Sequence, residues 1–410
     1  MLSRPSVERV RRHWRGYAAV HVVVVGLIVA GAFALTLPLD RDPAARASRA
    51  RPAAPLPPGV RSLDGLLEPI RASHHVPALA AAIVQDGRLV AIGAVGVRKG
   101  GDPTRVTIDD RFHIGSCTKS MTATLIGALV DEGRLRWDTT ITEVLPELAG
   151  RIRPEYRAVT VDQLLHHCSG LPDDRGDVLL LWRYRALRGP LARQRLRLAE
   201  IALNRRPAAP RGLRSIYSNA GYCVLGAMAE RVTGRSWEDL MHGRLFEPLG
   251  MTSAGFGSPS AGGSLEQPWG HAAFGRAFPR MRPVCGNRLP AAVGPAGNVS
   301  LSLADWAKYA SLHLDAEQGR CRLVSCETFR HLHRASPGSF YACGWGTGTY
   351  EGLGPVLQHA GSEGSWYATI GLAPQRDLAI LTATNEGDPA GGSACGAAVA
   401  ALVGYWPPGN

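Results

Sequence analysis

Residues 112–121 read Phe-His-Ile-Gly-Ser-Cys-Thr-Lys-Ser-Met, and they open an apolar-periodic run of Met121, Leu125, Ile126, Leu129 and Val130. Asp131-Glu132-Gly133 closes the run. The spacing fits one face of a helix with Gly133 as its stop. On such a helix residues three apart are neighbours, so Ser116 and Lys119 share a side. Ser116 falls in the first turn, where free amides and the helix dipole favour negative charge. A hydroxyl beside an amine at an electropositive helix start has the makings of an activated nucleophile.

The cation usage points the same way. Of 46 basic residues only Lys99, Lys119 and Lys308 are lysines. Arginine keeps its proton in proteins, whereas a buried lysine can lose one and act as a base. A chain that writes nearly every cation as Arg has kept Lys at 119.

The N-terminus sets the compartment expected for the rest. Residues 1–16 carry Arg4, Arg9, Arg11, Arg12 and Arg15 against Glu8, and Tyr17 to Leu39 is almost wholly apolar. A basic flank before an apolar run marks a secretory signal or a membrane anchor with its N-terminus in the cytoplasm. The run is nearer the roughly 20 residues of a spanning helix than a signal core, although Ala32-Phe33-Ala34 resembles a cleavage site. Residues 40–60 are rich in Ala, Pro and Arg and read as a semi-extended tether. The globular domain is expected over 61–410, outside the cytoplasm in either case.

The net charge of +12 permits anionic partners, but no zinc-finger, helix-turn-helix or RNA-binding signature accompanies it, so nucleic acid is not expected. None of the eight cysteines forms C-x-x-C, which leaves no zinc ribbon or thioredoxin-type pair. Cys321 and Cys326 are the closest two; connectivity stays open. His166-His167-Cys168 and His331-x-His333 look like ligands, yet neither has a second half-site, so no metal or cofactor is expected.

Along the domain, Leu63 to Ala72 has helical spacing. Leu79 to Val84 and Leu89 to Val97 flank Asp86-Gly87 and read as a hairpin. Thr160 caps a helix leading to residues 164–173. Residues 174–215 hold eleven arginines and three acids; they form either a lid whose cations meet a carboxylate or lipid headgroups, or amphipathic helices with a solvated Arg face. Helices follow at Ala220 to Val232, with Asn219 as N-cap, and from Ser236 to Phe246. Residues 252–299 read mostly as loop. A capped helix spans Ser302 to Leu314, a second hairpin spans 366–385, and a small-residue helix spans Ala394 to Val403. Strands bracketing a helical middle make an α+β plan.

Two more short motifs follow the first: Tyr217-Ser218-Asn219 and His359-Ala360-Gly361. In the order S-x-x-K, Y-x-N, H-x-G, the chain resembles the serine β-lactamase and penicillin-binding superfamily, in its branch of class C β-lactamases, D-alanyl-D-alanine carboxypeptidases and family VIII esterases. Leu164-Leu165-x-x-Cys168-Ser169-Gly170-Leu171-Pro172, Glu247-Pro248-Leu249-Gly250-Met251 and Pro295-Ala296-Gly297-Asn298 are similar too. The resemblance covers about residues 62 to 405. It implies an antiparallel sheet flanked by helices, a mainly helical subdomain, and an active site between them.

By that resemblance Ser116 is the acylated nucleophile. Lys119 and Tyr217 are the pair that removes its proton and later protonates the leaving group, in an order the residues leave open. Asn219 holds Lys119 and a substrate amide. The amides of Ser116 and Ser362, the latter just past His359-x-Gly361, form the oxyanion hole, each such donor being worth about 10²–10³ in rate. The third motif carries His359 where β-lactamases usually have Lys, which favours esters or small amides over β-lactams. If His359 titrates within roughly pH 5 to 8, carboxylate substrates gain as pH falls. The expected partners are thus a small ester, amide or peptidoglycan-type peptide, and a membrane through residues 17–39. D-alanyl-D-alanine carboxypeptidase or β-lactamase activity is the enzymatic alternative. A membrane-tethered binding module of low turnover is the other.

Overall fold

A computed structural model describes residues 55–274 and 278–405. The basic N-terminus, the apolar run at 17–39 and most of the 40–60 tether lie outside the described residues. Among the described residues no helix is long and apolar enough to cross a membrane.

In chain order the elements begin with β1 (Arg61–Ser62), α1 (Asp64–Ser73), β2 (Ala78–Gln85), β3 (Arg88–Gly96) and β4 (Phe112–His113). A 3₁₀ turn, Gly115–Cys117, leads into α2 (Thr118–Asp131), followed by α3 (Val161–Leu165), α4 (Val178–Arg185), α5 (Leu191–Leu203), α6 (Asn219–Thr233) and α7 (Trp237–Met241). Then come β5 (Gly255–Phe256), β6 (Gly270–Phe274), β7 (Phe278–Val284), β8 (Val299–Leu301), α8 (Leu303–Glu317) and α9 (Cys326–His333). β9 (Gly346–Tyr350), β10 (Gly354–Ser362), β11 (Tyr367–Ala373), β12 (Leu378–Thr384) and α10 (Ala390–Tyr405) complete it.

The main sheet has seven strands in the order β1-β3-β2-β12-β11-β10-β9. All its pairs are antiparallel except β1 with β3. The β2–β3 hairpin forms as its turn chemistry dictates: Asp86 and Gly87 both take positive φ, 51° and 68°, the combination a two-residue type I′ turn requires. Both faces of the sheet are covered, and β2 shows how. Leu79, Ala81 and Ile83 face a core shared with Leu63 just before α1, Leu67 within it, and Ala394, Ala398 and Leu402 of α10. Ala80, Ala82 and Val84 face the larger core built around the helices.

α2 is the centre of that larger core. Twelve of its fourteen residues are buried, so it is enclosed all round rather than on the single face its spacing suggested. Met121, Leu125, Ile126 and Leu129 are at most 1% exposed, each contributing about 1.5–3 kcal/mol by burial. The chain turns away at Gly133, φ 70°, as expected of a C-terminal stop.

Two stretches depart from expectation. Residues 252–299 carry β5, β6, β7 and the start of β8, besides helical turns at Ala291–Val293 and Gly294–Gly297. β8 sits between β4 and β5 in a three-stranded sheet, so its order comes from pairing with Phe112–His113 and not from its own Gly- and Pro-rich sequence. β6 and β7 form a two-stranded sheet. The helix beginning after Ser236 gives way after Met241 to a π turn, His242–Phe246. Cys321 and Cys326 are disulfide-bonded.

Candidate active site

Ser116 lies in the 3₁₀ turn before α2, one step earlier than a first helical turn. The turn is held from three sides. His113 Nδ1 accepts the Gly115 amide at 3.2 Å, and its Nε2 faces Asn298 Oδ1 at 3.2 Å. The Ile114 amide donates to Val299 O at 3.0 Å. The Thr118 hydroxyl accepts from Val299 N at 3.1 Å. Gly115 takes φ 50°, so the chain reverses into the helix with Ser116 half-buried at its start.

Lys119 is fully buried one turn further on. Its Nζ lies 3.1 Å from Ser116 Oγ, 2.8 Å from Asn219 Oδ1 and 2.7 Å from Ala296 O. Asn219 is oriented unambiguously, because its Nδ2 donates to Asp174 Oδ1 at 3.0 Å. Two of the three neighbours of Nζ can therefore only accept, whereas the Ser116 hydroxyl can also donate. None is a carboxylate. Burial pushes the Lys119 ammonium down to about 7, with Asp174 pulling the other way.

Tyr217 closes the other side. Its ring centroid is 4.7 Å from Lys119 Nζ, 5.0 Å from Arg175 Cζ and 4.5 Å from the ring of His167. Burial holds its phenol well above the ordinary value, and the Ser116 hydroxyl it faces draws it part of the way back. The phenol is thus protonated where the amine is not.

The third motif reaches the same place on β10. A Cβ on Gly361 would stand 2.0 Å from Ile114 O and 2.7 Å from Ser116 N; one on Gly115 would stand 2.5 Å from Ser362 N. Only glycine at both positions lets the end of β10 and the serine turn meet, which brings the Ser116 and Ser362 amides together. His359 differs from expectation. Its Nδ1 faces Ala360 O at 2.6 Å and must donate there, leaving Nε2 to accept from Tyr341 Oη at 3.2 Å. With burial and Lys119 both opposing protonation, its imidazole is pushed down to about 3. It is neutral throughout pH 5 to 8 and supplies no titrating cation.

All seven expected site residues, Ser116, Lys119, Tyr217, Asn219, His359, Gly361 and Ser362, thus lie together between the sheet and the helices. Two more residues join them: Asp174, which the sequence did not single out, and His167, which reads in the sequence only as a ligand-like residue beside His166 and Cys168. Asp174 is buried, and its carboxylate accepts from Asn219 N at 2.8 Å, Asn219 Nδ2 at 3.0 Å and Ala220 N at 2.8 Å. It caps α6 from 45 residues away, so Asn219 is the first helical residue and not the N-cap. His167, φ 59°, accepts the Ser218 amide on Nδ1 at 3.2 Å and packs against Tyr217 and Tyr341. Only the adjacency of Asp174 to the 164–173 segment could have drawn attention to it.

The Beta-lactamase family profile matches residues 63–404. The chain is 32% identical over 336 residues to penicillin-binding protein 4 of Amycolatopsis lactamdurans, a match covering 78% of this chain and 83% of that protein. It is 26% identical over 324 residues to the unguisins hydrolase of Aspergillus campestris, covering 76% of this chain and 59% of that one. Among solved structures, the octameric penicillin-binding protein homologue from Pyrococcus abyssi superposes with a TM-score of 0.67 at 25% identity, over 84% of this chain and 77% of the other.

Proposed function

The chain belongs to the Beta-lactamase family, whose fold and serine-hydrolase character it shares, and from that premise we propose that it hydrolyses esters or small amides through an acyl-enzyme on Ser116. The observation that carries this reading is the surroundings of Lys119 Nζ. A neutral amine there donates one hydrogen to Asn219 Oδ1 and one to Ala296 O, and keeps its lone pair for the Ser116 hydroxyl.

In this mechanism the Ser116 proton passes to Lys119 as Oγ attacks the substrate carbonyl. The Ser116 and Ser362 amides receive the oxyanion. The tetrahedral adduct collapses, and the leaving group takes its proton from the Tyr217 hydroxyl, which Lys119 restores. Water then attacks the acyl carbonyl with its proton leaving by the same route, and Ser116 is regained. Lys119 is the base and Tyr217 the proton carrier, because burial moves their proton affinities in opposite directions.

A neutral His359 offers no fixed cation for a substrate carboxylate, which favours neutral esters and amides. Arg175, exposed beside the Tyr217 ring, favours a second reading, a D-alanyl-D-alanine carboxypeptidase that receives a peptide carboxylate. Both readings put the domain outside the cytoplasm, tethered through residues 17–39.

Intact-protein mass spectrometry tests the proposal, using a fluorophosphonate, a chromogenic short-chain ester and a penicillin on the wild type and on Ser116→Ala. The expected result is one adduct per reagent, absent from the variant, with the ester adduct turning over fastest. A long-lived penicillin adduct with no ester turnover would move the assignment to the carboxypeptidase. No adduct from folded protein would leave a binding module.

A further inference from the structure

α4 is a surface helix of unusual character. Leu180 and Tyr184, four residues apart, are buried beneath it, while Val178, Leu179 and Trp182 on its outer side are 66%, 69% and 66% exposed. Isolated exposed apolar residues are commonplace; three on one face of one short helix mark a contact surface. Arginines follow directly: Arg183 and Arg185 in its last turn and Arg188 just beyond, all exposed. Among the described residues none of the three makes an ion pair, and Arg188 donates only to the carbonyls of Arg185 and Leu187. The helix is firmly set on the body. Asp177 Oδ1 accepts from Leu180 N at 2.9 Å, and Asp177 Oδ2 pairs with Arg205 at 3.0 Å.

We propose that α4 docks on an anionic phospholipid surface, inserting Val178, Leu179 and Trp182 at the acyl boundary while Arg183, Arg185 and Arg188 meet the headgroups. An apolar face with Trp and Leu beside a cationic rim is the composition of an interfacial helix, and basic side chains are drawn to anionic lipid within a Debye length. The chain argues for lipid over a soluble partner. A basic stretch and an apolar run of spanning length precede the domain, and the 21-residue segment 40–60 between them reaches at most about 3.6 Å per residue. The domain is then held near a bilayer, where even a weak second contact is made at high effective concentration. α4 begins four residues after Asp174, which orients Asn219, so the docking helix and the site are close neighbours along the chain. The surface is independent of the Ser116 chemistry and is tested without it.

The experiment uses the full chain in vesicles of phosphatidylglycerol carrying brominated acyl chains, with brominated phosphatidylcholine vesicles as the neutral arm. Bromine quenches tryptophans that reach the acyl region, and subtracting the Trp182→Phe signal isolates residue 182 whatever the N-terminal run does. The expected result is quenching of Trp182 in phosphatidylglycerol, reduced several-fold in phosphatidylcholine, in Leu179→Asp and in the triple change Arg183→Gln, Arg185→Gln, Arg188→Gln. Thermal unfolding and Ser116 labelling by fluorophosphonate stay unchanged in these variants. Equal quenching in wild type and Trp182→Phe would overturn the proposal. Equal quenching in both lipids would overturn the headgroup assignment. Concentration-dependent self-association in detergent that Leu179→Asp abolishes would assign the face to a second copy of the chain.

Discussion

Among the described residues two cations, Lys119 and Arg195, are completely buried, and they hold opposite ends of the same helix. Lys119 binds Asn219 at the start of α6 and Ala296 O. Arg195 forms a close ion pair with Glu230 near the end of α6, reaches Glu238 Oε1 at 2.6 Å, and donates to the carbonyls of Ala291 and Ala292. Both are 0% exposed. Their partners differ: neutral oxygens and a hydroxyl around the amine, two carboxylates around the guanidinium. Burial penalises either charge, but only Arg195 has carboxylates in direct contact to offset the penalty, and arginine keeps its proton regardless. Lys119, lacking a direct counter-ion, sheds its proton near neutrality. The depth of a cation says little about its role; the oxygens around it decide whether it is a fastener or a base.

Lys119→Arg is the severest test of that contrast. It keeps the charge and removes the ability to lose it, so fluorophosphonate labelling of Ser116 should fall by about 10³ or more, as for an activated nucleophile deprived of its base. Labelling within tenfold of wild type would mean Lys119 acts only as a charge. Next in size is Arg195→Met. It strands Glu230 and should cost about 3–5 kcal/mol of stability, read as a lower unfolding midpoint, while labelling per folded molecule stays close to wild type. Adding Glu230→Gln should recover part of the loss. If the single change cut labelling as deeply as it cut stability, the two cations would not be separable.

A smaller effect should appear at Asp174. Its carboxylate raises the Lys119 proton affinity and orients Asn219, so Asp174→Asn should lower kcat/KM about tenfold and move its ascending pH limb to lower pH. In the wild type that limb should rise through about pH 7 as Lys119 becomes neutral. Stability should also rise from about pH 7 toward the ordinary lysine value of about 10.4, because there the unfolded chain holds a proton the folded one has shed. The smallest expected effect is none: with His359 pushed down to about 3, the ratio of carboxylate to neutral-ester turnover should be flat from pH 5 to 8. A ratio rising as pH falls would return His359 to charge recognition.

The elements legible in the sequence are those whose causes are local. The Asp86-Gly87 turn needs only two residues able to take positive φ. The start of α2 and its stop at Gly133 follow from apolar spacing and one glycine. The three short motifs named six residues, Ser362 just past the third makes seven, and these do meet in space. What went unread depends on distant neighbours. β8 is a strand because Phe112–His113 and Gly255–Phe256 lie on either side of it. Arg195 sits in an Arg-rich stretch that reads as solvated, yet it is buried because Glu230 and Glu238 arrive from α6 and α7. Asp174 caps a helix that starts 45 residues later, which no N-cap pattern can signal.

The sequence by itself determined the identities and the order of the groups proposed to react, Ser116, Lys119 and Tyr217, because hydroxyl, amine and phenol are chemistry written directly in residue type. The tertiary structure alone decided their charge states. A proton's affinity is set by water removed and by partners brought within about 3 Å, and here those partners, Asn219, Ala296 and Tyr341, come from segments far apart in the chain. So burial lowers the proton affinity of Lys119 and His359 and raises that of Tyr217 for reasons that exist only once the chain has folded.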